Sequence, residues 1–311
     1  MEAVPEGDVL VVGEALVDVV RRPDGGVDEY PGGSPANVAL ALARLGRPTQ
    51  LLTHIGDDAR GVLVRNHLAA SGVQLVEGSV TSAPTSTAVA TLDASGGATY
   101  TFDLEWSLPR TPLPANPLAV HTGSIAAVLQ PGAATVERIL RGARGNATTS
   151  YDPNLRPQLM GSPTDVRPHV ESLVASSDIV KLSEEDATWL APEMHPFELL
   201  ERWLGLGPAI VVLTRGGDGL TAVCRDGRVS VPSEPVRVVD TVGAGDTATA
   251  GLLDALWSAG LLGGAARERL AAIDPADLQD VLAHAARVAA VTVSRAGANP
   301  PTRAELDAGP A

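Results

Sequence analysis

The sequence predicts a doubly wound α/β fold, a mostly parallel sheet with helices on both faces and a small β-sheet lid. Three observations carry this. Short Val/Ile/Leu runs such as DVLVVG (8–13) and AIVVLTRGG (209–217) alternate with Ala/Leu-rich stretches of helical spacing. The runs are continuously apolar, as strands covered on both faces by helices are. Two other stretches break this rhythm: 84–106 alternates apolar and polar residues and reads as a β-hairpin, and 16–31 reads as another short two-stranded piece.

Taken in order, DVLVVG is a buried strand ending at Gly13, and ANVALALARLG (36–46) is a helix with a glycine stop. TQLLTHIG (49–56) is a strand and DARGVLVRNHLAASG (58–72) a helix. The ribbon at 84–106 turns around Asp93–Gly97. Then come LAVHTGS (118–124), the helix GAATVERILRGA (132–143), TTSYDPN (148–154), SDIVKLS (177–183), AIVVLTRGG and VRVVDTVGAGD (236–246). Ribbons inserted in an α/β body commonly serve as lids or interfaces. No internal repeat or long linker interrupts the chain, so residues 1–311 are expected to form one domain with lid strands at about 16–31 and 84–106.

Composition narrows the function. The 311 residues are 44% hydrophobic, 19% charged and 3% aromatic, which suits a folded chain with an aliphatic core. The net charge of −14 and the lack of a basic run exclude nucleic acid as an expected partner and argue against a membrane anchor. The N-terminal stretch lacks a basic region and is interrupted by Glu14 and Asp18, so it reads as a strand and not a signal peptide. Cys224 is the one cysteine and is expected to pack, and a cytoplasmic location is expected.

The stretch VVDTVGAGDTATAGLL (238–253) carries the chemistry. A strand end opens through Gly243 and Gly245 into a small-residue helix, where unpaired amides and the macrodipole favour an anion such as phosphate. Asp246 would repel that anion unless it has another task, such as deprotonating the alcohol that attacks a phosphoryl group. An ordinary capped helix would account for the same letters. The chain contains one lysine, Lys181, preceded by Val180, so no Walker-A loop exists, and no Gly-x-Gly-x-x-Gly pattern appears at these sites.

GGSPANVALALARLG (32–46) and DTVGAGDTATAGLL (240–253) resemble the two signature motifs of the PfkB, or ribokinase-like, carbohydrate kinases. GEALVD, HIGDDARG, HTGS, YDPNLRP, DIVKLSEED, LTRGGDG and VTVSRAGA follow in family order, so the resemblance spans nearly the whole chain and is nearest the fructokinase branch. It implies a ribokinase-like fold and ATP-dependent phosphorylation of a sugar hydroxymethyl group with Mg²⁺, and often a K⁺ site.

By the same resemblance Asp246 is the catalytic base, and the Gly243, Ala244 and Gly245 amides form the anion hole. Asp18, Gly32, Gly33 and Asn37 hold sugar hydroxyls, and Arg156 lies near substrate and phosphates. Lys181, Ser183, Thr214, Gly216, Gly219 and His284 match nucleotide-binding positions, and Asp240 and Val242 match a K⁺ loop. The usual Asn-x-x-Glu that serves Mg²⁺–ATP is replaced by Ser183-Glu184-Glu185-Asp186, with Glu185 or Asp186 as the acid. Ala248 stands where many relatives carry an aromatic residue. The ribbon segment TYTFDLEW offers Asp103 and Glu105 but no Arg, which points to a neutral sugar, with fructose first. Ribokinase, 2-keto-3-deoxygluconate kinase and nucleoside kinase remain the alternatives within the family. A non-catalytic sugar- or nucleotide-binding regulator is the alternative of another class. An exposed lid edge invites a homodimer.

Overall fold

The computed structural model describes residues 7–93, 97–108 and 113–308. The chain runs β1 (Val9–Val12), β2 (Leu16–Arg21), β3 (Val27–Gly32), α1 (Ser34–Arg44), β4 (Thr49–Leu52), β5 (Ile55–Gly56), α2 (Ala59–Ala69), β6 (Gln74–Leu75), β7 (Val80–Thr81), β8 (Thr87–Leu92) and β9 (Ala98–Asp103). It continues β10 (Ala119–Gly123), α3 (Gly132–Ala143), β11 (Thr148–Asp152), α4 (Pro157–Met160), α5 (Pro163–Val174), β12 (Ile179–Ser183), α6 (Glu184–Leu190), α7 (Pro196–Leu204) and β13 (Ile210–Thr214). The last elements are β14 (Leu220–Cys224), β15 (Gly227–Val231), α8 (Ala244–Ser258), α9 (Arg267–Ala271), α10 (Pro275–Val293) and α11 (Arg303–Ala308).

The body is a nine-stranded sheet in the order β15-β14-β13-β12-β11-β10-β1-β4-β6. It is parallel from β6 to β13, and β14 and β15 add an antiparallel edge. Strand β1 shows why both faces need cover. Val9 and Val11 enter a core shared with α1, α8 and α10, while Leu10 and Val12 enter one shared with α3, α5 and α7. Small residues let α8 approach α10 closely: a Cβ at Gly251 would lie 2.8 Å from Ala285 Cα.

The two ribbons pair as expected, β2 with β3 and β8 with β9, both antiparallel. A parallel pairing of β2 with β8 joins them into one lid sheet, β3-β2-β8-β9. Of the expected turn at Asp93–Gly97, residues 94–96 lie outside the described residues, and Asp93 N–H donates to Gly97 O at 2.8 Å. The lid's roots are clamped to the body. Asp58 accepts from Thr85 N–H at 2.8 Å and Thr85 Oγ1 at 2.7 Å, and His54 Nδ1 meets Glu105 O at 3.0 Å. Among the described residues no helix is long and apolar enough to cross a membrane.

Candidate active site

The carboxyl ends of the body strands and one face of the lid enclose a cavity of about 660 Å³. At its floor α8 begins. Gly243 caps the helix with φ 76°, a left-handed conformation that glycine adopts without strain. The first intrahelical bond runs from Thr247 N–H to Gly243 O at 2.8 Å, so the Gly245 and Asp246 amides precede any helical acceptor. The Ala244 amide already donates to Thr241 O at 3.2 Å, which leaves Gly245 the better placed of the expected anion-hole amides.

Asp246 is 7% exposed and is aimed by the start of α1. Ser34 Oγ donates to its Oδ1 at 2.6 Å, and Asn37 Nδ2 donates to its Oδ2 at 2.8 Å. The carboxylate thus has a fixed orientation and retains lone pairs for a third donor. Gly33 caps α1 at φ 104°, and a Cβ there would lie 2.5 Å from Glu14 O. A Cβ on Gly32 would sit 2.2 Å from Asp18 Oδ2, so glycine at 32 makes room for that carboxylate. Burial raises the Asp18 carboxyl above its ordinary range, against the pull of Arg156.

Asp18, Gly33, Asn37, Arg156, Gly243, Gly245 and Asp246 all line this cavity, together with Tyr100, Phe102 and Leu104 of the lid side. Arg156 folds back on its own loop, donating to Asn154 Oδ1 at 2.8 Å and Leu155 O at 2.9 Å. Glu14 also lines the cavity and was missed as a site residue. It is 5% exposed, its Oε2 accepts from Ala126 N–H at 3.1 Å, and burial pushes its carboxyl up to about 7. The signal in the sequence is an acid inside an otherwise apolar strand run.

Other expected residues fall elsewhere. Lys181 does not line this cavity: it is 4% exposed and pairs with Asp152 Oδ2 at 2.6 Å. His284 lies outside the cavity as well. It faces Asp254 at 2.7 Å, in a buried cluster with Arg47 and Arg303. Arg47 precedes β4, so that cluster lies toward the amino ends of the strands, away from the cavity. Burial alone would raise the Asp254 carboxyl, yet His284, Arg303 and Arg47 together hold it down to about 2. Trp106, at the end of the lid ribbon, is buried against the body, its Nε1 donating to Ala126 O at 3.0 Å.

Ser183 and Asp186 form a capping box at α6: Asp186 N–H donates to Ser183 Oγ and Ser183 N–H to Asp186 Oδ2, each at 3.0 Å. Asp186 Oδ1 accepts from Leu155 N–H at 2.7 Å, so its carboxylate is already engaged, while Glu185 is exposed. Among the described residues no three His, Cys, Asp or Glu side chains converge to hold a metal. Thr214 is the register partner of Ser183 across β12 and β13, and Gly216 and Gly219 shape the turn that follows. Asp240 ties the expected K⁺ loop to the segment after α10, accepting from Val242 N–H at 3.0 Å and Gly297 N–H at 2.9 Å. Those two amides hold its carboxyl below the usual range.

The match to known proteins covers the same framework. The signature described as pfkB family carbohydrate kinase spans residues 6–305. The chain belongs to the pfkB family of carbohydrate kinases. Among curated pfkB relatives, a fructokinase of Rhizobium leguminosarum bv. trifolii is 35% identical over 283 residues, 88% of this chain and 86% of the relative. A Klebsiella pneumoniae fructokinase is also 35% identical, over 86% and 89% of the two chains. Of solved structures, a Xylella fastidiosa fructokinase with bound ATP superposes with a TM-score of 0.81 at 25% identity, over 96% of this chain and 97% of that one. A Vibrio cholerae O395 fructokinase holding fructose, ADP and calcium ion gives 0.80 at 25% identity, over 97% and 98%. The pfkB fold is thus the ribokinase-like body and lid described above.

Proposed function

We propose that this pfkB kinase transfers the γ-phosphoryl of Mg·ATP to a hydroxymethyl group of a neutral sugar, fructose first. The observation that carries the reading is the Asp246 carboxylate, held at 2.6 Å by Ser34 and 2.8 Å by Asn37 on the floor of the 660 Å³ cavity, beside free helix-start amides. Asp246 takes the proton from the sugar hydroxyl. The oxygen then bonds to the γ-phosphorus as the bond to the ADP oxygen breaks, and the Gly245 amide and helix dipole face the charge on the moving group. Asp18 and Asn37 suit paired hydroxyls, and Gly33 admits the ring close to the backbone. K⁺ at the Asp240–Val242 carbonyls, and nucleotide contacts from Thr214, Gly216 and Gly219, belong to the same reading.

Charge supports a neutral acceptor. The carboxylates of Asp18 and Asp246 line the cavity beside Glu14, which keeps its proton up to about pH 7, against Arg156 as its one cation among the described residues. A sugar acid or phosphosugar would meet more repulsion than attraction there. The stacked pair Tyr100–Phe102, with centroids 6.4 Å apart, gives a second reading some support, since a nucleoside base could lie against it. An ATP-consumption assay with Mg²⁺, with and without K⁺, across fructose, ribose, 2-keto-3-deoxygluconate, fructose 6-phosphate and adenosine decides. Fructose is expected to give the highest kcat/KM. Faster turnover of 2-keto-3-deoxygluconate or the phosphosugar would overturn the neutral-sugar assignment, and faster turnover of adenosine would favour the nucleoside reading. We read body and lid as one catalytic unit, with a second copy of the chain packed against the lid.

A further inference from the structure

Lys181 is the single lysine in a chain with 23 Lys and Arg residues, and it is buried at 4% exposure. On β12 its neighbours Val180 and Leu182 point to the α3/α5/α7 core, and Lys181 turns the other way, under α8. Its Nζ lies 2.6 Å from Asp152 Oδ2 on β11, and a Cβ built on Gly245 would stand 3.0 Å from that Nζ. Thr249 Oγ1 closes the cluster, donating to Gly245 O at 3.2 Å and reaching Asp152 Oδ2 at 3.5 Å. The ammonium therefore touches the underside of the turn whose upper side lines the sugar cavity. Asp152 is 0% exposed, and its other oxygen, Oδ1, has no hydrogen-bond partner in the protein.

We infer that Lys181 is a positioning residue for phosphoryl transfer: seated by Asp152 beneath Gly245, its ammonium backs the anion cradle with a fixed positive charge and touches neither sugar nor nucleotide. The inference rests on the proposed role of the cradle in receiving the phosphoryl group. Asp152, Asp186 and Asp246 all lie within electrostatic reach of this ammonium. Without it, an anion would be asked to settle over three carboxylates in a poorly screened interior. Burial would lower the lysine's proton affinity, but Asp152, Asp246 and Asp186 together outweigh that and hold it above its ordinary value. It stays charged and gives up no proton during turnover. A lysine suits the place because its ammonium is compact, whereas a planar guanidinium would need the space of the Gly245 turn. The charge on the phosphoryl oxygens reorganises in the transition state, while sugar and ADP have other contacts. The lysine's effect should therefore fall on kcat and little on binding.

The test is the double variant Lys181→Met/Asp152→Asn, which removes both charges so that neither is left buried alone. Its kcat on fructose is expected to fall about 10²-fold, the scale of one lost oxyanion contact. Dissociation constants for ADP and fructose should stay within about threefold of wild type, and affinity for aluminium fluoride in the presence of ADP and fructose should fall with kcat. A kcat within about threefold of wild type would overturn the inference, and so would weakened ADP binding with kcat intact. If the variant does not fold, the wild-type enzyme carrying [ε-¹³C]lysine supplies one NMR signal to follow. That signal should move when ADP, fructose and aluminium fluoride are added together and stay in place with ADP alone. No movement with all three, or the same movement with ADP alone, also overturns it. A wild-type enzyme that phosphorylates no sugar, or an Asp246→Asn variant that still turns over, would instead fail the parent reading.

Discussion

Glu14 carries its proton at pH values where an exposed glutamate has lost it. Its folded pKa of about 7 lies above the ordinary 4.5, with burial as the main cause. Between those values the folded protein binds a proton that the unfolded chain releases, so stability falls as pH rises across the window. Glu14→Gln keeps an acceptor for Ala126 N–H and does not titrate. The variant is therefore expected to gain stability over wild type progressively from pH 4.5 to 7, by on the order of 3 kcal/mol at the upper end. Thermal melts at several pH values check this, and a difference that does not change with pH would contradict it. At this scale the sequence was readable where a residue sat in a motif whose type is dictated by contact: Asp18, Gly33, Asn37 and Asp246 line one cavity. It was unreadable where a side chain's direction depends on packing. Lys181 faces a neighbouring strand's carboxylate, and the helical phase of α10 turns His284 toward Asp254.

The lid shows the same division among elements. Both hairpins were legible, the one at 84–106 from its alternation, but the parallel β2–β8 pairing joins residues about seventy positions apart and leaves no local signal. The antiparallel β14–β15 hairpin was missed although Asp226-Gly227 marks its turn. On the lid's cavity-facing side, Asp18 pairs with Tyr30 and Ala88, and Ala90 pairs with Val20 and Tyr100. Tyr30 and Tyr100, 54% and 53% exposed, stand on that face, Tyr100 at the cavity's edge. An apolar face of this kind is what a second lid would cover. Light scattering is expected to find a dimer, and Ala90→Glu to convert it to a monomer with a raised KM for sugar. A wild-type monomer would contradict the pairing.

For the whole molecule, the site is a meeting of distant segments. Ser34 and Asp246 are 212 positions apart, and α1 packing on α8 brings them within 2.6 Å. The sheet sets both helix starts at the same strand ends, which is why the two motifs share one cavity. That convergence was legible because continuous apolar runs fix a parallel sheet, and parallel sheets gather their loops at one end. On the proposed reading, Asp246 removes the proton and sugar recognition falls mainly to Asp18, Asn37 and the glycines beside them. Asp246→Asn retains the shape and a hydrogen-bonding amide but cannot take a proton. Calorimetric titration of fructose and ADP, paired with single-turnover kinetics on that variant, measures the two functions separately. The account predicts near wild-type binding with turnover reduced about 10²–10⁴-fold. Turnover close to wild type would contradict it.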